Sequence, residues 1–365
     1  MLSRWRRMPM EVEAPEQVGY GTIRANLAES SCSDRRLADL GLSLESLLLQ
    51  YGDHRGDPAL RALLAAEAGL APDDVLLTTG AAMALFLVAA TKLGPGEHVV
   101  VVRPNYATNL ETPWALRCEV SPIDLKFEDG YRLDPDRVRA DLRPTTRLIS
   151  ITTPHNPTGT EVEEDILDEL IRLAEEAGCH LLVDETYGDM ASTVRPPVAS
   201  RSPCVISVAS VSKTYGLPGI RVGWAMGADP VLMERLLAAK EQMVLTGSIL
   251  DEAIAAAVWA RRSVLLPPVR EHIARQRQVV ADWMARETRL AWVPPSGGVV
   301  AFPRVEPNVD LERFYAELAR SGVAVGPGRW FDQDPRHFRI GWGWPTATEL
   351  QLGLDGISGA LTLAG

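Results

Sequence analysis

Ser210-Val211-Ser212-Lys213-Thr214-Tyr215-Gly216-Leu217-Pro218-Gly219-Ile220-Arg221-Val222-Gly223-Trp224 is the stretch on which the reading of this chain turns. The apolar run from Cys204 to Ala209 leads into it, and a second run from Val222 to Met226 follows. Such runs predict two buried strands joined by this stretch. One lysine sits between them among small hydroxyl residues, with an arginine eight positions on. A lysine held among strand ends can lose its proton and attack a carbonyl, forming a Schiff base. The hydroxyls and the arginine suit a phosphate, which arginine grips with a planar fork of donors. The same residues also read as a plain turn with a solvated lysine.

Ser210-x-x-Lys213 followed by Gly219-x-Arg221-x-Gly223 resembles the cofactor-lysine signature of class I/II aminotransferases, the fold-type I pyridoxal-phosphate enzymes. The resemblance implies that Lys213 carries pyridoxal 5'-phosphate while Ser210 and Arg221 hold its phosphate. It implies an α/β fold: a large domain on a mostly parallel seven-stranded sheet, plus a smaller α+β domain. The likeness runs over roughly residues 46–345. The expected division is 1–45 as N-terminal arm and part of the small domain, 46–280 as cofactor-binding domain, and 281–365 as C-terminal small domain.

Working upstream, Leu181-Leu182-Val183-Asp184-Glu185-x-Tyr187 ends an apolar strand in a carboxylate. Burying that charge is expensive unless it is paired. A protonated pyridine nitrogen is the partner the resemblance implies; a helix cap at a βα turn is the alternative. Thr153-Pro154-His155-Asn156-Pro157-Thr158-Gly159 follows the apolar run from Leu148 to Thr152. Its turn formers place Asn156 at the C-terminal edge of the sheet, where open α/β folds bind ligands. The resemblance gives Asn156 and Tyr187 to the phenolate oxygen of the cofactor and lets Asn156 face the substrate as well. Thr160 and Glu163 fit a capping box for the helix that follows.

The run from His98 to Val102 reads as another buried strand, ending at Arg103-Pro104-Asn105-Tyr106. Tyr106 stands where the family stacks an aromatic ring on the cofactor, with core packing as the alternative. Val75 to Thr79 is a short strand, and Gly80-Ala81-Ala82 opens a helix to about Lys92. Strand, small-residue turn and helix N-terminus together make an anion site. With alanines at 81 and 82, backbone amides carry more of that binding. Tyr51-Gly52-x-x-x-Gly56-Asp57-Pro58-Ala59-Leu60-Arg61 resembles the family stretch whose tyrosine reaches the neighbouring subunit's cofactor phosphate. This implies a homodimer with shared active sites. Asn26-Leu27-Ala28-Glu29-Ser30 resembles a segment that enters the active site, and also reads as an ordinary loop.

Downstream, Pro230 to Ala257 predicts two helices split by Leu245-Thr246-Gly247-Ser248, and a long helix is expected from about Pro268 to Arg286. Trp292 to Phe302 reads as strands, Leu311 to Arg320 as a helix, and Val323 to Gly328 as an approach to the cleft. Phe338-Arg339-Ile340-Gly341-Trp342 resembles the family's substrate clamp, which implies Arg339 on the substrate α-carboxylate. Trp224, Trp342 and Trp344 read as packing or pocket wall.

A length of 365 residues allows one large and one smaller domain. The net charge of −11 argues against nucleic acid or an anionic membrane as principal partner and leaves small-molecule amino acid and keto acid substrates open. Cys32, Cys118, Cys179 and Cys204 are widely spaced without a CxxC pair, which argues for thiols in a reducing compartment over disulfides or zinc. No run of 18 apolar residues appears, and no apolar signal core follows the basic start from Met1 to Arg7, so the expected location is cytoplasmic.

The expected reaction is transamination, with Lys213 as general base at the substrate Cα and then as general acid. A carbanion at Cα can instead expel a substituent or close a ring. Pro154-His155-Asn156-Pro157, Ser212-Lys213-x-Tyr215-Gly216-Leu217-Pro218-Gly219 and Arg339-Ile340-Gly341 resemble pyridoxal enzymes that cyclise a hydroxylated arginine. Glu13 and Glu29 are candidate contacts for such a guanidino group. A non-catalytic pyridoxal-sensing module of a transcription regulator is a third reading. Only about 45 residues precede the Tyr51 motif, too few for a winged DNA-binding domain, and the intact Lys213 set favours an enzyme.

Overall fold

The computed structural model describes residues 5–365; Met1 to Arg4 of the basic start lie outside the described residues. Seven strands form the central sheet: β1 Val75–Thr79, β2 His98–Arg103, β3 Glu119–Asp124, β4 Thr146–Thr152, β5 His180–Asp184, β6 Val205–Ser210 and β7 Val222–Met226. Their order is β1-β7-β6-β5-β4-β2-β3. Only β7 runs antiparallel to its neighbours, β1 and β6. The near-continuous apolar runs are explained by burial on both faces. Val99 and Val101 pack with Leu85 and Val88 on one side, while Val100 and Val102 pack with Leu167 and Leu170 on the other.

The helices are α1 Pro9–Glu13, α2 Pro15–Val18, α3 Pro58–Ala68, α4 Gly80–Lys92, α5 Ala107–Ala115, α6 Pro135–Asp141, α7 Glu164–Ala177, α8 Pro230–Glu241, α9 Ile249–Trp259, α10 Arg262–Met284, α11 Leu311–Ser321 and α12 Ala347–Ala364. Local chemistry sets several ends. Asp57 accepts from Leu60 N at 2.7 Å to cap α3, Pro58 fills its first turn, and Gly69 closes it in the left-handed conformation. The capping box expected at Thr160 and Glu163 does not form. The Thr160 hydroxyl instead pairs with Thr158 at 2.8 Å, in the turn that carries Asn156, and α7 starts at Glu164. The long helix starts at Arg262, earlier than its prolines suggest. Pro267 and Pro268 lie inside α10, and burial of Val269, Ile273, Val280 and Trp283 holds it together.

A second core gathers around β8 Val300–Ala301, β9 Gly326–Pro327 and β10 Phe338–Gly341, an antiparallel sheet in the order β8-β10-β9. Of the strands expected over 292–302 only Val300–Ala301 forms, and a further short strand, Leu290–Ala291, precedes that range. The N-terminal segment joins this core: Ala25–Asn26 pairs parallel with Val323–Ala324, and Leu27 is fully buried. Gly341 donates to Leu27 O at 2.8 Å, and a Cβ at Gly341 would stand 1.8 Å from Glu29 O. A side chain at 341 would therefore push residues 27–31 off β10. Trp342 is fully buried, Trp224 packs edge-on against Trp259, and Trp344 stacks on Tyr20.

Candidate active site

Parallel strands β4, β5 and β6 end at one edge of the sheet, as α/β ligand sites require. A cavity of about 370 Å³ opens there. It is lined by Lys213, Asp184, Tyr187, Asn156, Tyr106, Ser210, Arg221, Ala81, Ala82 and Arg339, ten of the residues expected from sequence. Gly80 lies just behind this lining, buried at the start of α4. Tyr51 stands outside it, 82% exposed, in a shallow outer groove with Leu49 and Leu250.

One end of the cavity is a ready anion cradle. Helix α4 has no side-chain cap, so its first backbone N–H groups remain available. Ser210, Ser212 and Arg221 line the same end. Arg221 Nη1 donates to Pro218 O at 2.9 Å and makes no ion pair among the described residues. Gly223 allows this assembly: a Cβ there would stand 2.5 Å from Ala81 N.

Asp184 lies on the floor, 5% exposed. Burial pushes its carboxyl above the ordinary range, opposed by hydrogen bonds from Thr186 and Asn109 and by the charge of Lys213. The Thr186 hydroxyl donates to Asp184 Oδ1 at 2.6 Å. These bonds orient the carboxyl without neutralising it, so a cationic partner from a ligand would lower the cost of its burial.

Arg339 is equally buried at 4% exposure, and desolvation depresses its pKa. Its Nη1 donates to Asn156 Oδ1 at 2.8 Å, and its Nη2 donates to Ala28 O. Its Nε is buried without a partner. A buried guanidinium on a cavity wall is suited to a carboxylate. Because Asn156 spends its oxygen on Arg339, its Nδ2 is left as a donor. The Tyr187 hydroxyl donates to Ser30 Oγ at 2.9 Å.

Sequence reasoning missed several lining residues. Ser212 lay inside the opening stretch, between Ser210 and Lys213. Trp330, Glu11 and Glu16 also line the cavity. Trp330 follows the Gly-Pro-Gly turn of 326–328, whose approach to the cleft was expected. The short helices α1 and α2 carry too few residues for a periodic signal. The Asn26–Ser30 match holds in part: Ala28, Glu29 and Ser30 line the cavity. Glu13 does not line it. Its carboxylate is engaged by Arg329 at 2.8 Å and by Trp330 Nε1 at 2.8 Å, fixing α1 to the Trp330 turn.

The family model of aminotransferase class I and II matches residues 28–357. Capreomycidine synthase from Streptomyces vinaceus is 36% identical over 321 residues, covering 86% of this chain and 82% of that protein. A PLP-dependent aminotransferase from Streptococcus suis superposes with a TM-score of 0.91 at 27% identity, covering 99% of each chain. The PLP-dependent cyclase OrfR superposes with a TM-score of 0.89 at 26% identity, covering 99% of this chain and 98% of its own.

Proposed function

The chain belongs to the aminotransferase class I and II family, and from that premise we propose that it transfers the α-amino group of an amino acid to a keto acid, with Lys213 as its catalytic residue. It is an enzyme whose cofactor is pyridoxal 5'-phosphate. The observation that carries the reading is the meeting of an amine, Lys213, a buried carboxyl, Asp184, and a buried guanidinium, Arg339, on one cavity.

The residues fit the cofactor. The uncapped start of α4, Ser210, Ser212 and Arg221 suit its phosphate. Asp184 suits the ring nitrogen, Asn156 Nδ2 and Tyr187 the ring oxygen, and Tyr106 the ring face. When bound, pyridoxal phosphate supplies a carbonyl that condenses with amines and a ring that accepts an electron pair. Arg339 grips the substrate α-carboxylate and fixes the orientation of Cα. The Lys213 amine would take the proton from Cα as general base and, as general acid, would return a proton two bonds away, beyond the substrate nitrogen. Asp184 holds a proton on the ring nitrogen through its own negative charge. On this reading residues 46–280 hold the cofactor, and residues 1–45 with 281–365 supply the carboxylate side.

The assembly in this reading is a homodimer. Leu48, Leu49 and Tyr51 are 67%, 71% and 82% exposed in one stretch, and a second copy would cover them and bring Tyr51 to its own phosphate end. A second reading rests on the likeness to capreomycidine synthase and to OrfR: the same proton removal, followed by loss of a substituent and ring closure.

Product analysis decides between the two. Holoenzyme is incubated with an amino acid, with and without a keto acid. Transamination requires the acceptor for turnover and yields one new amino acid per keto acid formed. Acceptor-independent turnover to a cyclic or eliminated product would replace the first reading with the second.

A further inference from the structure

Lys213 and Tyr187 enter the cavity from two different loops, one after β6 and one after β5. Two residues beyond each, the loops are tied together. The Tyr215 hydroxyl donates to Asp189 Oδ2 at 2.7 Å. The acceptor is a carboxylate, which makes this a short, charge-assisted bond. Tyr215 is 1% exposed. Burial, and then the Asp189 charge, pushes its phenol up, so it keeps the proton it donates. Tyr215, Asp189 and Arg262 all stand behind the cavity wall, and none of them lines it.

Neighbouring side chains hold the pair in place. Arg262, at the start of α10, donates to the other oxygen of Asp189. Its Nε stands 3.5 Å from the Glu67 carboxylate on α3. Trp259 packs against both donors: its ring lies 5.6 Å from the Tyr215 ring and 5.4 Å from the Arg262 guanidinium carbon. Arg270 lies on the same face of α10 as Arg262. It donates to the carbonyls of Asp189 and Ala191 at 2.8 and 2.9 Å. From the other side the Lys213 loop is pinned through its backbone. Cys32 N donates to Lys213 O at 2.9 Å, and Arg35 N donates to Gly216 O at 2.9 Å.

We infer that Tyr215 and Asp189 are positioning residues for the reaction: their hydrogen bond sets the Lys213 amine against the Tyr187 hydroxyl, and Arg262 seats Asp189. The inference rests on the reading of Lys213 as the reacting amine. That amine has to reach both the cofactor carbonyl and the substrate Cα, beside the ring oxygen that Tyr187 suits. A shift of about 1 Å between such groups can cost about 10²-fold in rate. The sheet fixes Asp184 and Ser210 directly, because they end β5 and β6. Lys213 and Tyr187 lie farther along the chain, outside the ladder of strand hydrogen bonds. The bond between Tyr215 and Asp189 closes the two loops on each other and carries the rigidity of the sheet out to them.

The test compares wild type with Tyr215→Phe, Asp189→Ala and their double variant. Tyr131→Phe serves as control, since it removes a buried hydroxyl from a residue that does not line the cavity. Amide hydrogen exchange is read on cofactor-free protein. Residues 186–192 and 211–217 should both exchange about tenfold faster in Tyr215→Phe, with β4 unchanged. Kinetics are read on holoenzyme. Tyr215→Phe should lower kcat about tenfold or more and leave KM within about twofold. Tyr131→Phe should lower Tm and leave kcat within about twofold. Adding Tyr215→Phe to Asp189→Ala should change kcat less than about twofold further, because the two act as a unit. A wild-type kcat in Tyr215→Phe overturns the inference. So does faster exchange confined to 211–217, or an equal gain in β4, which marks a merely structural role. If Asp189→Ala fails to fold, Tyr215→Phe alone decides. If wild type turns over no amino acid, the reaction reading fails, and exchange in the two loops still decides whether Tyr215 and Asp189 hold them together.

Discussion

The two walls of the cavity are built in opposite ways. The inner wall stands on strand ends: Asp184 closes β5, Ser210 closes β6, and Asn156 follows β4 by a tight turn. The outer wall is assembled from remote pieces: Glu16 on α2, the 28–30 segment, Trp330 and Arg339. Strand ends in a close-packed sheet cannot shift singly, so the inner wall suits chemistry that needs fixed geometry. The outer wall is held by a few contacts across long sequence separations, such as Glu13 to Trp330 and Arg339 to Ala28, and suits selection of the substrate.

That contrast can be broken at four places. Asp184→Ala strikes the inner wall and should lower kcat about 10²- to 10³-fold with cofactor still bound, measured under saturating cofactor. Arg339→Lys strikes the junction of the walls. Losing the planar fork should raise KM for the amino acid about 10- to 100-fold, more than it lowers kcat. Equal falls in kcat and in kcat/KM for Arg339→Lys would place it among the reacting groups. Glu13→Ala loosens only the outer wall: KM should rise about threefold to fivefold and kcat should stay within about twofold.

The fourth place lies behind the inner wall. Glu185 follows Asp184 but turns away from the cavity, accepting from Val198 N at 3.1 Å. Burial pushes its carboxyl up from 4.5 to about 7, with the Asp184 charge adding and the Ser207 hydroxyl opposing. The folded state therefore keeps a proton that the unfolded chain releases. Stability from this group is present below pH 4.5 and is lost as pH rises to about 7. His155 works in reverse, because burial lowers it to about 4 and it favours the folded state as pH rises. The comparison is thus between wild type and Glu185→Gln. The fall in Tm between pH 5 and 7.5 should be smaller in the variant by roughly 2–4 °C, measured on cofactor-free protein.

The inner wall was legible because its signals are local. Each residue follows an apolar run and sits among turn formers, and Asp184, Lys213 and Asn156 recur in a known order. Six of the seven strands followed from such runs; β3, Glu119–Asp124, carries too few apolar residues to show one, and the count of seven came from the family resemblance. The outer wall was not legible in this way. Pro9 and Pro15 start helices of 5 and 4 residues, too short to show a period. Glu13 is named from sequence as a candidate contact for a substrate guanidino group, with no local pattern behind it. Its arginine is Arg329, 316 positions away, and only packing brings the two together. Tyr51 lies outside the cavity, 82% exposed, and its place near a cofactor was legible only through the family resemblance.

The central claim is that Lys213, and no other lysine, carries the cofactor. Holoenzyme reduced with borohydride, digested and weighed by mass spectrometry tests it directly. The account predicts the mass of reduced cofactor on the peptide containing Lys213, and neither that mass nor the yellow absorbance in Lys213→Ala. The same mass on Lys92, Lys126 or Lys240, or on no lysine at all, would contradict it.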